Sequence, residues 1–318
     1  MLRKFILSAS AMALAATALP GAALAQDHAE HAAAAAATGN GPAMWRIGDE
    51  DTTIYLFGTV HALPEGMDWL KPEIAEALAS SDQFVSEIDT SLLPEFDPTS
   101  GQAPPPEVME FAQMQMQLAQ LTTGETLRAM MSDEDRAEYE AAMQTLGLPA
   151  ATFDGFEPWF AMMNISQVAM MQAGIDPGQG VERTLDKMIE GKDRAAFETI
   201  EQQLGFFDGL PMESQMTFLD ERVEMLPELR EGFDEMVAEW IEGDPDGLAE
   251  VINEAFADPV LRDTLLTQRN SAWAAWLDDR LDQPGTVFVA VGAGHLGGEN
   301  SVQDFLAERG IDAERVDY

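Results

Sequence analysis

Two Gly-X-X-His segments, Gly58–His61 and Gly292–His295, each follow an apolar run that is typical of a buried strand. Glycine lets the backbone turn sharply or approach another group closely, so each histidine is expected just beyond the end of a strand. In open α/β sheets, ligands bind outside the carboxyl ends of the strands. We therefore predict that His61 and His295 are two halves of one active site, with structural capping of the strand ends as the alternative.

The number of histidines favours this pairing. The sequence contains four, and the other two, His28 and His31, lie in an alanine-rich N-terminal stretch that reads as a flexible linker. Imidazole can act near neutral pH as a metal ligand, a general base or a general acid. Glu87, near the end of another predicted strand, is the third candidate, because a carboxylate there can coordinate a cation or orient an imidazole. Its alternative role is that of an internal structural acid.

Other kinds of reaction centre are poorly represented. The sequence has no cysteine, which excludes thiol nucleophiles, thiolate zinc sites and iron–sulfur clusters. It contains neither a Gly-X-Ser-X-Gly nucleophile elbow nor a phosphate-binding Gly-X-X-X-X-Gly-Lys loop. Gly292–Gly294 resembles part of a dinucleotide-binding fingerprint, but His295 stands where the onset of a helix would be needed.

Strands and helices near both ends of the chain must position these side chains. Near the N-terminus the pattern predicts a hairpin of strands, then a helix and another strand, at residues 45–47, 53–57, 72–78 and 84–88. This strand–helix–strand order has the length of a βαβ unit.

The remaining chain predicts a helical middle and a second α/β segment. Residues 107–258 are expected to be almost wholly helical. A helix, a buried strand, a second helix and an edge strand are then expected at 261–281, 286–291, 302–309 and 312–316. The predicted fold class is therefore α/β, with a mixed β-sheet core formed by the N- and C-terminal parts and a large helical insertion.

The N-terminus predicts export. A short basic region, an apolar run over 5–19 and a small-X-small sequence at 23–25 indicate a signal peptide, residues 1–25. A flexible leader, 26–43, and one folded domain, 44–318, are expected to follow. No later segment is long and apolar enough to span a bilayer. We expect a periplasmic or secreted protein without stable membrane insertion.

The charge limits the range of partners. The sequence has 17 Lys and Arg against 57 Asp and Glu, a formal net charge of −40. Such a surface repels nucleic acid and anionic lipid, so no nucleic-acid partner is expected. A peptide or another small or polymeric substrate is the expected partner.

From about Met44 onward, the motifs of the chain resemble those of the TraB/GumN family. That family is related to the Tiki metalloproteases and, more remotely, to erythromycin esterase and the haem-binding ChaN proteins. The segments that carry the resemblance are residues 55–61, 86–89, 156–159, 174–176, 198–202, 269–270 and 291–298.

The resemblance implies that the two Gly-X-X-His motifs meet at one site, which in the Tiki branch is similar to a divalent-metal-dependent peptidase. It implies that His61 and His295 are metal ligands or catalytic bases and that Glu87 is their carboxylate partner. It further implies that Arg269 faces the site from the preceding helix and that Asn270 assists it.

The chemistry of these residue types agrees in outline. Two histidines and a carboxylate, His61, His295 and Glu87, form a ligand set suited to Mn, Co or Zn. An ion of this kind would activate a bound water, and Arg269 would stabilise the oxyanion formed on a carbonyl group, unless it only forms a salt bridge. The predicted function is a metal-dependent, peptidase-like hydrolase. The alternatives are a non-catalytic envelope protein that binds haem, a metal or a polymer, and a metal-independent, esterase-like hydrolase.

Overall fold

The computed structural model describes residues 41–64, 66–89, 103–176, 179–254 and 258–318. The predicted signal peptide, all but the last three residues of the predicted leader, and both of its histidines lie outside these residues. Within the part of the chain that is described, no helix has the length and apolar character needed to cross a membrane.

Six strands form one mixed sheet. In chain order they are β1 (Met44–Gly48), β2 (Thr52–Thr59), β3 (Gln83–Ile88), β4 (Asp193–Glu198), β5 (Gly285–Gly292) and β6 (Glu314–Arg315). Their order across the sheet is β4-β3-β5-β2-β1-β6. The first four in that order are parallel to one another, whereas β1 runs antiparallel to β2 and to β6.

Helices occupy most of the remaining described chain. They are α1 (Pro72–Ser80), α2 (Pro106–Leu118), α3 (Leu127–Met130), α4 (Asp133–Thr145), α5 (Pro158–Gln172), α6 (Val181–Asp186), α7 (Ile200–Asp208), α8 (Met212–Met225), α9 (Leu229–Glu242), α10 (Pro245–Glu254), α11 (Pro259–Arg262), α12 (Gln268–Leu281) and α13 (Val302–Glu308). The predicted α/β fold, with a mixed sheet and a helical insertion, is confirmed.

The described residues form two compact units. A helical unit takes its residues from 103–174 and 200–230, and a sheet unit takes its residues from 41–89, 175–199 and 231–318. In the sheet unit, alternate residues of the central strands β2 and β5, such as Ile54 and Val287, pack with Trp273 of α12 in a buried apolar core. This packing fixes the strand ends, because a slip of one residue would move every core side chain to the other face.

Two elements differ from the prediction. The expectation of an almost wholly helical segment at 107–258 is wrong at β4, a short strand at the edge of the sheet whose first two residues, Asp193 and Arg194, are polar and exposed. A strand of this composition lacks the apolar run that marks β2 and β5. The single helix expected at 261–281 is instead α11 and α12 joined by a π-helical turn, Asp263–Thr267.

Candidate active site

The four parallel strands bring four candidate side chains together at their carboxyl ends, on one side of the sheet. Thr59 at the end of β2 pairs with Gly292 at the end of β5, and the two histidines follow at positions 61 and 295. Ile88 of β3 pairs with Glu198, the last residue of β4. Because parallel strands end at the same edge, the sheet itself collects His61, Glu87, Glu198 and His295.

Two motif glycines permit close approaches at this edge. A Cβ atom added at Gly58 would lie 2.9 Å from the Cβ of Ala293, so the first motif packs directly on the second. A Cβ at Gly292 would lie 3.1 Å from Oε1 of Glu87, and the Gly292 N–H donates to that oxygen at 2.7 Å. A side chain at Gly58 would therefore push the two motifs apart, and a side chain at Gly292 would displace Glu87.

Arg269 of α12 lies at the centre of the buried part of the site, and each of its five N–H groups has an acceptor. Nε and Nη2 donate to the two carboxylate oxygens of Glu198, at 2.7 and 2.9 Å. Nη2 also donates to Oε2 of Glu87 at 2.8 Å. Nη1 donates to the carbonyl of Leu265, in the π-helical turn, at 3.0 Å and lies 3.2 Å from Nε2 of His295. The guanidinium is therefore fixed by its neighbours.

These contacts determine the tautomer of His295. Since a guanidinium only donates hydrogen bonds, Nε2 of His295 must accept from Arg269 and Nδ1 must carry the proton. Nδ1 then donates to Oδ1 of Asn270 at 2.5 Å, and the Asn270 amide donates in turn to the carbonyl of Asn300 at 2.8 Å. Burial, reinforced by the positive charge of Arg269, lowers the pKa of His295 to about 3, so the ring is neutral.

The two carboxylates bonded to Arg269 respond differently to burial. Burial alone raises the pKa of Glu87, but the charges of Arg269 and His61 together with the Gly292 N–H lower it to about 2. For Glu198 burial outweighs the bonds from Arg269 and Trp273, so its pKa is raised. Glu87, Glu198, Arg269, His295 and Trp273 are called the Arg269 cluster below.

His61 has a different environment. Its side chain is 59% exposed, and Nδ1 lies 2.9 Å from Oε1 of Glu182 on α6. The charge of Glu182 raises the pKa of His61, and solvent screens part of that effect. Its charge also acts on Glu87 and His295, so it lies within electrostatic range of the Arg269 cluster. The site thus combines one accessible imidazole with a buried, fully bonded network.

The structure brings all five predicted site residues into the sheet unit, and it adds two that the sequence did not single out. Glu198 was missed because its strand was not predicted, although its position in a family-like segment was a usable signal. Glu182 was missed because nothing in the sequence links α6 to the first motif. In the structure the Val181 N–H donates to the carbonyl of Val60 at 3.0 Å, which places α6 beside that motif.

In this arrangement two of the three predicted metal ligands, His295 and Glu87, are bonded to other protein groups. Nε2 of His295 faces the guanidinium of Arg269, and both oxygens of Glu87 accept N–H groups. Among the residues that the structure describes, no group of three or more His, Asp or Glu side chains is arranged to hold a metal ion. A cation bound by His61, Glu87 and His295 would require Arg269 to leave its present contacts, since two positive charges would otherwise share the same ligands.

Comparisons with known proteins agree with the motifs. A family model described as "TraB/PrgY/gumN family" matches residues 43–315. "Uncharacterized protein YbaP" of Escherichia coli (strain K12) is 23% identical over 254 residues, which covers 79% of this chain and 87% of that protein. The protein of the same description from Shigella flexneri matches with the same identity and coverage. No solved structure matches.

Proposed function

The chain belongs to the TraB/PrgY/gumN family, and we propose from the geometry of its site that it is a hydrolase acting on a peptide or a related acyl substrate. The observation that carries this proposal is the placement of an exposed imidazole, His61, beside a carboxylate, at the sheet edge that also holds the Arg269 cluster. An imidazole oriented by a carboxylate is suited to proton transfer between water and a leaving group.

In the proposed reaction the deprotonated form of His61, whose share grows as the pH rises toward its raised pKa, takes a proton from a water molecule while the water oxygen bonds to the substrate carbonyl carbon. The bond to the leaving amine or alkoxide then breaks, and His61 returns the proton to that group. Glu182 stabilises the imidazolium formed in between. Arg269 acts on the reaction through its positive charge and not through a hydrogen bond to the substrate, because its N–H groups are already bonded to protein acceptors.

The metal-dependent form of this hydrolase, with Mn, Co or Zn, stays a prediction from the sequence. It differs from the proposed form in one measurable respect, because a chelator would abolish activity and an added ion would restore it. The contacts of Arg269 support the metal-independent form, since they occupy the groups that an ion would need.

Export is part of the proposal. The basic, apolar and small-residue segments of residues 1–25 support secretion across a membrane, to the periplasm or beyond. The absence of cysteine is compatible with an oxidising compartment, where unpaired thiols would be a liability.

A substrate screen tests the reaction. The purified protein would be incubated with a library of peptides and esters, in parallel with chelator and with added Mn, Co or Zn. Turnover in chelator that falls by about 10²–10⁴-fold in His61→Gln is expected, which is the usual contribution of general acid–base catalysis. Arg46→Gln, which breaks an exposed ion pair with Glu314 on β6, is the matched control and should keep full activity.

Three other outcomes would contradict this form of the proposal. Turnover that appears only with an added ion would establish the metal-dependent form. Stoichiometric binding without turnover would identify a ligand-binding protein. Full activity in His61→Gln would place the chemistry elsewhere.

A further inference from the structure

Glu198 is a buried carboxylate whose contacts are concentrated on the site. Its side chain is 7% exposed, and both oxygens accept from Arg269, Oε1 from Nε at 2.7 Å and Oε2 from Nη2 at 2.9 Å. Oε1 also accepts from the indole N–H of Trp273 at 3.0 Å. The two-bond geometry fixes both the position and the plane of the guanidinium, which a single bond would not do.

We propose that Glu198 is a positioning residue of the proposed hydrolase: it holds Arg269 in the orientation that fixes Glu87 and His295. With Nε and one Nη2 hydrogen bound to Glu198, the remaining N–H groups of the planar guanidinium are aimed in set directions. Those directions lead to Glu87, to Leu265 and to Nε2 of His295. This inference rests on the proposed function for its catalytic meaning.

Trp273 links Glu198 to His295 by a second route. The Trp273 indole, which donates to Glu198, also packs against the His295 ring, with ring centroids 4.3 Å apart. The Arg269 guanidinium lies over the Trp273 ring at 4.8 Å. Loss of the Glu198 carboxylate would therefore reach His295 by two routes, through Arg269 and through Trp273.

A purely stabilising role explains these contacts poorly. Burying two carboxylates around one guanidinium leaves an excess negative charge in the protein, and desolvation offsets much of the attraction. Well-packed apolar residues would stabilise such a place as much or more. The fixed geometry of the charges is what an apolar core would not provide.

The test uses the complete protein and two readouts. Glu198→Gln keeps the shape and one acceptor oxygen but removes the charge and the two-bond geometry. The first readout is the ¹⁵N chemical shift of the His295 imidazole, which reports its tautomer and the bond at Nε2 without requiring activity. The second is the separate measurement of kcat and KM.

We expect the Nε2 resonance of His295 to move in Glu198→Gln, and kcat to fall by about 10–100-fold, by analogy with the loss of hydrogen-bonded partners that orient metal ligands. KM should change far less, because Glu198 is not exposed to substrate. Glu198→Asp, which keeps the charge, should recover part of kcat. Asp154→Asn is the matched control: Asp154 makes the same two-bond contact with Arg128 in the helical unit, and both readouts should stay unchanged.

The outcomes separate the two proposals. An unchanged His295 resonance together with an unchanged kcat in Glu198→Gln would overturn the positioning role. If no substrate is turned over by the unaltered protein, the hydrolase proposal fails by itself, and the imidazole shift alone decides whether Glu198 positions Arg269 and His295. If Glu198→Gln does not fold, Glu198→Asp decides by the same two readouts.

Discussion

Two arginines in this protein bridge two carboxylates each, one in the helical unit and one in the sheet unit. Arg128 binds both oxygens of Asp154 through Nε and Nη2, each at 2.8 Å, and Glu140 through Nη1 at 2.7 Å. Arg269 makes the same two-bond contact with Glu198. The difference is burial: the side chain of Arg128 is 27% exposed and that of Arg269 is 9% exposed.

The same two-bond contact is accompanied by pKa shifts of opposite direction in the two carboxyl groups. The bonds from Arg128 dominate for Asp154 and lower its pKa, whereas burial dominates for Glu198 and raises its pKa. A partly exposed ion pair adds a little to the stability of the fold and loses little hydration. A buried ion pair must first offset the free energy of removing its charges from water. The contrast supports the proposal that the Arg269 cluster is held at the strand ends for its geometry more than for the stability that it contributes.

Removing each arginine gives the largest expected difference between the two bridges. Arg269→Met leaves two carboxylates buried and unpaired, so we expect a loss of about 3–5 kcal/mol in the free energy of unfolding. Arg128→Met leaves its carboxylates partly in water and should cost about 0.2–1 kcal/mol. Urea unfolding of both variants measures the difference.

Equal losses would show that burial does not separate the two bridges. If Arg269→Met fails to fold, Arg269→Lys provides the comparison, because it keeps the charge but cannot form the two-bond contact. It should then be more stable than the methionine variant and less stable than the unaltered protein.

The second largest expected difference between the two arginine sites is in how the free energy of unfolding depends on pH. His295 stays neutral in the folded state down to about pH 3, whereas in the unfolded chain it binds a proton near its ordinary pKa of 6.5. The unfolded state therefore binds more protons below pH 6.5, and stability falls as the pH falls, by about 1.4 kcal/mol per pH unit at most. The charged groups that act on His295 are Arg269, Glu87 and His61, and none of them changes charge between pH 6 and 5.

Urea midpoints at pH 6 and pH 5 check this expectation, with His295→Asn as the variant that should lose the slope. Asp154 has a lowered pKa, so its contribution is lost only below its ordinary value of 3.8, and Asp154→Asn should keep the slope. His61 has a raised pKa, so the stability that it contributes is fully present below its ordinary value of 6.5 and is lost in a separate window, as the pH rises from there toward about 9. A slope that survives in His295→Asn would assign it to other groups.

The sequence predicted which strand ends meet but not how the two histidines differ. Both motifs have the same spacing after an apolar run, and this pattern is enough to place them at one edge of a parallel sheet. Yet His295 is 5% exposed and neutral, while the side chain of His61 is 59% exposed and paired with an acid. That difference depends on α6 and on Arg269, which are distant in sequence, so no local pattern contains it.

The acids of the site show the same limit. Glu87 was predicted because it lies on an apolar strand, whereas Glu198 ends a polar edge strand that has no such signal. Asn270 was expected to assist Arg269, and the structure places it against His295. Hydrogen-bond partners are chosen by the folded arrangement, which residue types alone do not determine.

The smallest expected effect concerns Trp273, whose indole bond to Glu198 has no counterpart at Asp154 among the described residues. Trp273→Phe removes this hydrogen bond but keeps an aromatic ring on Phe197, against which Trp273 now stacks at 4.9 Å between ring centroids. Trp276→Phe is the matched control, because Trp276 lies on the same helix and packs edge-on against the same ring at 5.1 Å.

We expect Trp273→Phe to cost about 1 kcal/mol more than Trp276→Phe in urea unfolding, the usual net value of a buried hydrogen bond. It should also move the His295 ¹⁵N resonance, since the indole packs on that imidazole, whereas the control should leave the resonance in place. Equal costs and an unmoved resonance would mean that the indole bond adds nothing to the Arg269 cluster. The two bridges would then differ by burial and by His295 alone.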